Sequence, residues 1–194
     1  MIDSFAELKN QITDCQICAA DLPLGPRPVM RGNQSARIII IGQAPGTRVH
    51  ASGVPWDDKS GERLREWLDV TSEVFYDEDR IAIMPMGFCY PGRAVKGGDL
   101  PPRPECAPQW HVPLLKHFEN IELTLLVGSH AQNYYLKDKT TKTMTDTVSA
   151  WQDYFPDILP TPHPSWRSGI WLKKNPWFET DVLPVLRSRV AALI

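Results

Sequence analysis

Four cysteines are the residues of this sequence with the plainest chemical potential: Cys15 and Cys18 form a CxxC near the start, and Cys89 and Cys106 form a wide pair in the middle. Four thiolates can ligate a zinc ion or an iron–sulfur cluster. Structural zinc sites usually gather two close CxxC-type pairs, whereas a cluster tolerates wide spacing. Two disulfides are disfavoured, because the N-terminal stretch MIDSFAELKN lacks a basic-then-apolar signal pattern and a reducing cytoplasm is the expected location. Cys89 and Cys106 could also be buried thiols acting as small hydrophobes. Against that, Cys106 falls in a proline-rich polar stretch, Pro101 to Pro108, which reads as a stiff loop. Spacing alone favours a metal site and leaves the metal open.

Three further segments carry groups suited to a small polar ligand. Gly42-Gln43-Ala44-Pro45-Gly46 would let backbone N–H groups approach a carbonyl or a phosphate. Gly53 to Gly61 contains Trp56, Asp57 and Asp58, and Thr161 to Ser165 places His163 between two prolines. Alone, His163 reads as a capped loop residue and the two aspartates as a turn or helix cap.

These segments need elements to hold them. Phe5, Leu8 and Ile12 recur at helical spacing and run into Cys15. The β-branched run Arg37 to Gly42 suits a central strand buried on both faces. Arg80 to Met84, Leu123 to Val127 and Asp157 to Pro160 are further predicted strands. A helix is predicted over 60–70, with Ser60 as N-cap and Leu64, Trp67 and Leu68 on one stripe. A C-terminal helix is predicted with Thr180 as cap, Pro184 near its start, and Val182, Leu186, Val190 and Leu193 on one face. The alternation implies a single-domain α/β fold over residues 1–194, a three-layer sandwich around a parallel sheet. Ligands then bind beyond the strands' carboxyl ends, in loops 42–60, 85–106 and 160–176.

Composition narrows the function. No run approaches a membrane span, and a net charge of −2 excludes a generally basic nucleic-acid binder, so any phosphate contact must be local.

In their order, these motifs resemble the iron–sulfur (family 4-like) branch of the uracil-DNA glycosylase superfamily. That branch pairs a Gly-Glu-Ala-Pro-Gly loop with a Gly-x-Pro-Phe turn, an x-Gly-x-x-Leu helix start, a CxxC, a wide cysteine pair and a His-Pro loop. The counterparts here are Gly42 to Gly46, Gly53 to Trp56, Gly61 to Leu64, Cys15 with Cys18, Cys89 with Cys106, and His163-Pro164. The resemblance runs from Cys15 to the C-terminal helix. It implies a four-stranded parallel sheet between helices, a 4Fe-4S cluster on the four cysteines with zinc the lesser alternative, and removal of an altered base flipped out of single- or double-stranded DNA by a monomer. Trp56 would be the stacking platform beside Gly42 and Ala44, and His163 the hydrogen-bond donor to the departing base.

Two positions depart from that branch. Gln43 replaces the water-orienting acid, and Asp57 or Asp58 could supply the missing carboxylate, Asp57 being the favoured one. Pro85 stands where the branch reads uracil with asparagine, which leaves the base open and Gln43 as a substitute reader. Arg93, Lys96, Arg167, Lys173 and Lys174 are candidate backbone contacts, and Trp166 or Trp171 a candidate wedge. Two other functions compete: a non-catalytic DNA-binding protein, and an iron–sulfur redox or sensor protein on the same fold.

Overall fold

A computed structural model describes residues 4–95, 97–137 and 143–194. Four strands, β1 (Ile38–Ile41), β2 (Ile81–Ile83), β3 (Leu123–Val127) and β4 (Ile158–Thr161), form one all-parallel sheet in the order β2-β1-β3-β4. In register, Ile40 of β1 lies between Ile83 and Leu125. The helices among the described residues are α1 (Phe5–Thr13), α2 (Thr47–Ser52), α3 (Lys59–Leu68), α4 (Ser72–Phe75), α5 (Cys106–Leu115), α6 (Ser129–Tyr135), α7 (Met144–Ser149), α8 (Ser168–Lys174) and α9 (Leu183–Ala191). None is long and apolar enough to cross a membrane.

The isoleucine run of β1 is explained by a sheet covered on both sides. Ile38 and Ile40 join one core cluster with Leu64 and Trp67 of α3 and Leu186 and Val190 of α9. Ile39 and Ile41 join the other, with Leu8 and Ile12 of α1, Trp110 and Leu114 of α5 and Ala131 of α6. A strand with helices on both faces must be apolar at every position, not at alternate ones. Pro160 pairs with Leu126 in β4, an edge strand, where a residue without an N–H is tolerated.

Several sequence expectations are corrected. The N-cap of α3 is Asp58, not Ser60: the Asp58 carboxylate accepts the Gly61 N–H at 2.8 Å, so the helix starts two residues earlier. Thr180 caps nothing, because Phe178–Val182 is a wide π-type turn that feeds straight into α9. Cys106 is the first residue of α5 rather than part of a loop, and Pro108 fits there because the first turn needs no N–H donor. The stretch from Trp166 to Trp177, expected as loop, contains α8.

Candidate active site and cysteine cavity

One cleft opens at the carboxyl edge of the sheet, lined by Gly42, Gln43, Ala44, Pro45, Gly46, Trp56, Asp58, Pro85 and His163 among others. Its first wall is the turn after β1, pinned by the strand-like continuation of β2: Met86 N–H donates to the Gly42 carbonyl at 2.9 Å, and Gly87 N–H to the Gln43 carbonyl at 3.0 Å. Close packing fixes the glycines. A Cβ on Gly42 would lie 2.7 Å from the Trp56 ring, and one on Gly61 would lie 1.8 Å from the Trp56 carbonyl oxygen. Trp56 itself takes a left-handed conformation, φ 59°, which turns its indole onto Gly42.

His163 follows β4 and faces that indole, with ring centroids 5.6 Å apart at 36°. Its carbonyl accepts the Ser165 N–H at 2.8 Å and the Ser168 hydroxyl, and Arg63 donates to the Ser165 carbonyl at 2.6 Å, so the His-Pro loop is held from both sides. Burial pushes the imidazole below its ordinary value; Asp58 opposes that shift and His130 adds to it. A neutral ring therefore presents one N–H donor to the cleft at neutral pH.

The two adjacent aspartates part company. Asp58 lines the cleft, with one carboxylate oxygen spent on the cap of α3. Asp57, the residue favoured from sequence, lies outside that lining, and its carboxylate faces Arg48 at 3.7 Å. Gln43 reaches the Leu100 carbonyl at 3.5 Å from its amide nitrogen.

Pro85 offers the cleft no side-chain amide, and its carbonyl is also engaged. His111 of α5 donates from Nε2 to that oxygen at 3.1 Å, and the Tyr135 hydroxyl donates to Nδ1 at 2.6 Å. The carbonyl can only accept, which fixes the tautomer. Burial holds His111 down to about 4. Its neutral form is the folded form, so stability should be full above the unfolded value near 6.5 and fall as pH drops from there toward about 4. The loss should reach about 3 kcal/mol at most. Urea unfolding midpoints measured across that window check this, and His111→Phe should flatten the slope.

Sequence reasoning missed two groups here. Asp99 is carried by a turn with Gly97 and Gly98 at positive φ, and its carboxylate lies 3.3 Å from where a Gly46 Cβ would be. Burial pushes its carboxyl up, Arg93 opposes this, and Asp58 adds to it. His130 enters α6 directly after β3, the one strand whose carboxyl-end loop was not among the predicted ligand loops; the rule that named the other three loops points equally to this one.

The candidate DNA contacts are scattered. Arg93 and Arg167 both flank the loop of Gly97 and Gly98: Arg93 bridges Asp99, and Arg167 lies 3.6 Å from a Cβ built on Gly98. Arg167 also covers the Trp166 ring at 5.2 Å. Lys173 and Lys174 lie in the last turn of α8. Lys96 lies outside the described residues. Trp166 is 77% exposed, whereas Trp171 is packed edge-on against Trp177 and Phe178 and donates to Thr145 at 2.8 Å.

All four cysteines line a second cavity, separate from the cleft, together with Ile17, Leu22, Phe88 and Trp110. They arrive from the end of α1, the turn before Ala19, the segment after β2 and the start of α5. Phe88 N–H donates to Cys106 Sγ at 3.3 Å. Burial pushes Cys89 up to about 11 and Cys106 up to about 12 as free thiols. Among the described residues no group of three or more His, Cys, Asp or Glu is placed to hold a single metal ion.

Residues 29–187 match the family model of the Uracil DNA glycosylase superfamily.

Proposed function

Because the chain belongs to the Uracil DNA glycosylase superfamily, we propose that it is a DNA repair glycosylase that flips uracil or another altered base into the cleft and hydrolyses its N-glycosidic bond. The observation that carries this reading is the convergence of Trp56, His163, Asp58, Gln43 and the Gly42 turn on one cleft at the sheet's carboxyl edge. An extrahelical base stacks on an aromatic face and is read along its edge. Trp56 supplies the face, packed closely against Gly42.

Cleavage of the bond leaves positive character on the sugar and an electron pair on the base. His163, neutral through burial, donates its N–H to a base oxygen where that charge collects, and strengthens as charge develops. Water attacks the sugar carbon. The carboxylate oxygen of Asp58 not spent on the cap, with the Gln43 amide, orients that water, and the carboxylate takes its proton. Trp166, exposed and braced by Arg167, fills the space left in the stack. Arg93, Arg167, Lys173 and Lys174 supply local phosphate contacts on a chain whose net charge is −2.

The cysteine cavity fits a 4Fe-4S cluster better than a zinc ion. Four sulfurs brought from four separate segments line it, a backbone N–H already points at one of them, and a cluster several atoms across can gather thiolates from widely spaced positions. When bound, the cluster would serve as a cross-link, tying α1 and its following turn to Cys89 and the start of α5. Cys15, Cys18, Cys89 and Cys106 would hold it as thiolates, releasing their protons. Replacing Cys106 by serine should lower bound iron and visible absorbance together. If lost cross-linking costs about 3 kcal/mol, as for a typical disulfide, the melting temperature should drop by roughly 10 °C. Iron analysis and a thermal melt measure both, and full iron content in the variant would refute the assignment.

A second reading, DNA recognition without cleavage, is favoured by one observation: Gln43 and Pro85 both line the cleft, where Gln43 has no carboxylate to act as general base and Pro85 no side-chain amide to read a nucleobase. Binding of an altered base without its release separates the two.

A further inference from the structure

Beside the cleft runs an open groove of about 340 Å³ bounded by Met86, Ala107, His130, Asn133, Tyr134 and the Pro102 turn. We propose that this groove is a subsite for the unpaired base next to the flipped one, and that the protein therefore prefers single-stranded DNA. The inference rests on the DNA reading above.

The groove and the cleft share a wall. Pro85 lines the cleft and the next residue, Met86, lines the groove, on one strip of backbone pinned to the turn after β1. His130 bounds the groove and is close enough to His163 to influence its protonation. A nucleotide chain with one base in the cleft would thus meet the groove with its neighbour.

The groups along the groove suit a base rather than a phosphate. Tyr134 is 37% exposed and braced from behind, edge-on to Tyr135 at 5.1 Å and to His111 at 6.0 Å. The neighbouring Asn133 amide is exposed and unpaired with described residues, so a donor and an acceptor are both open to a base edge. Burial lowers His130, which leaves its ring neutral. Among the described residues of the wall the one cation, Arg103, is already paired with Asp21 at 2.8 Å and Glu105 at 2.7 Å. Stacking on exposed aromatics is how sequence-tolerant single-strand binders gain affinity. In a duplex, the neighbouring base would have to unpair and unstack to enter, which costs a few kcal/mol per step.

The test is a low-salt binding titration of the iron-loaded protein with oligonucleotides carrying a central tetrahydrofuran abasic mimic, flanked by adenines or by further tetrahydrofurans. Removing the flanking bases should weaken single-strand binding about tenfold. Tyr134→Ala should lose the same factor on the adenine-flanked strand and nothing more on the other, whereas Tyr134→Phe should bind as the parent does. Duplexes should show no flank effect. Tyr134→Ala binding both strands like the parent protein would overturn the subsite while leaving base excision intact. Tyr134-dependent binding without release of any base would keep the subsite and remove the glycosylase reading. No binding of any oligonucleotide would overturn both.

Discussion

Replacing His163 by alanine is expected to slow base release by roughly 10²- to 10³-fold, the usual cost of removing one donor aimed at a developing oxyanion. Affinity for the altered strand should change far less, because Trp56 and the Gly42 turn still hold the base. The imidazole is placed for this by two sets of contacts: the Trp56 ring lies tilted against it at 5.6 Å, and the His163 carbonyl is held by Ser165 and Ser168. Its pH signature is specific. Burial lowers the ring below 6.5, so it stays neutral at and above that pH. A neutral donor keeps turnover going into the neutral and mildly basic range. A rate that dies away as pH rises through a value below 6.5, and regains its plateau in no variant but one keeping a cation there, would mean that a charged imidazole does the work instead.

The second large effect separates the two neighbouring aspartates. Asp58→Asn should reduce base release by roughly 10²- to 10⁴-fold, the range for loss of a general base. Stability should change little, because asparagine caps a helix about as well as aspartate. Asp57→Asn should leave turnover within about twofold, since its carboxylate faces Arg48 outside the cleft, an exposed pair of small worth. Steady-state rates of the two variants, with their melting curves, decide the matter. Wild-type turnover in Asp58→Asn together with collapse in Asp57→Asn would reverse the assignment.

Much of the fold was legible because buried parallel strands leave a strong trace. The unbroken run of Ile38 to Ile41 admits only a sheet covered on both faces, and the glycine after it marks the turn into the cleft. Element ends were harder. The Pro101 to Pro108 stretch reads as loop until one sees that a proline in the first turn of α5 forfeits no bond. Thr180 looks like a cap, yet the turn through Phe178–Val182 never breaks from α9, so no free N–H groups await one.

The cleft was legible where chemistry depends on composition and obscure where it depends on direction. Gly42, Trp56 and His163 meet as their motifs suggest. Asp58 rather than Asp57 turns inward, next to a left-handed residue at Trp56 and at the cap of α3, and no periodicity reports that. Asp99 arrives through a turn of adjacent glycines far along the chain, and Tyr134 through the carboxyl end of β3; both are matters of topology, invisible to local pattern.

The central claim is tested most directly by a base-release assay on the purified protein, using oligonucleotides that carry uracil, hypoxanthine or xanthine in single and double strands, with alkaline cleavage of the abasic product. Release of at least one of these bases, faster from the single strand and lost in His163→Ala, is the predicted result. Tight binding of all these strands with no base released from any of them would contradict it.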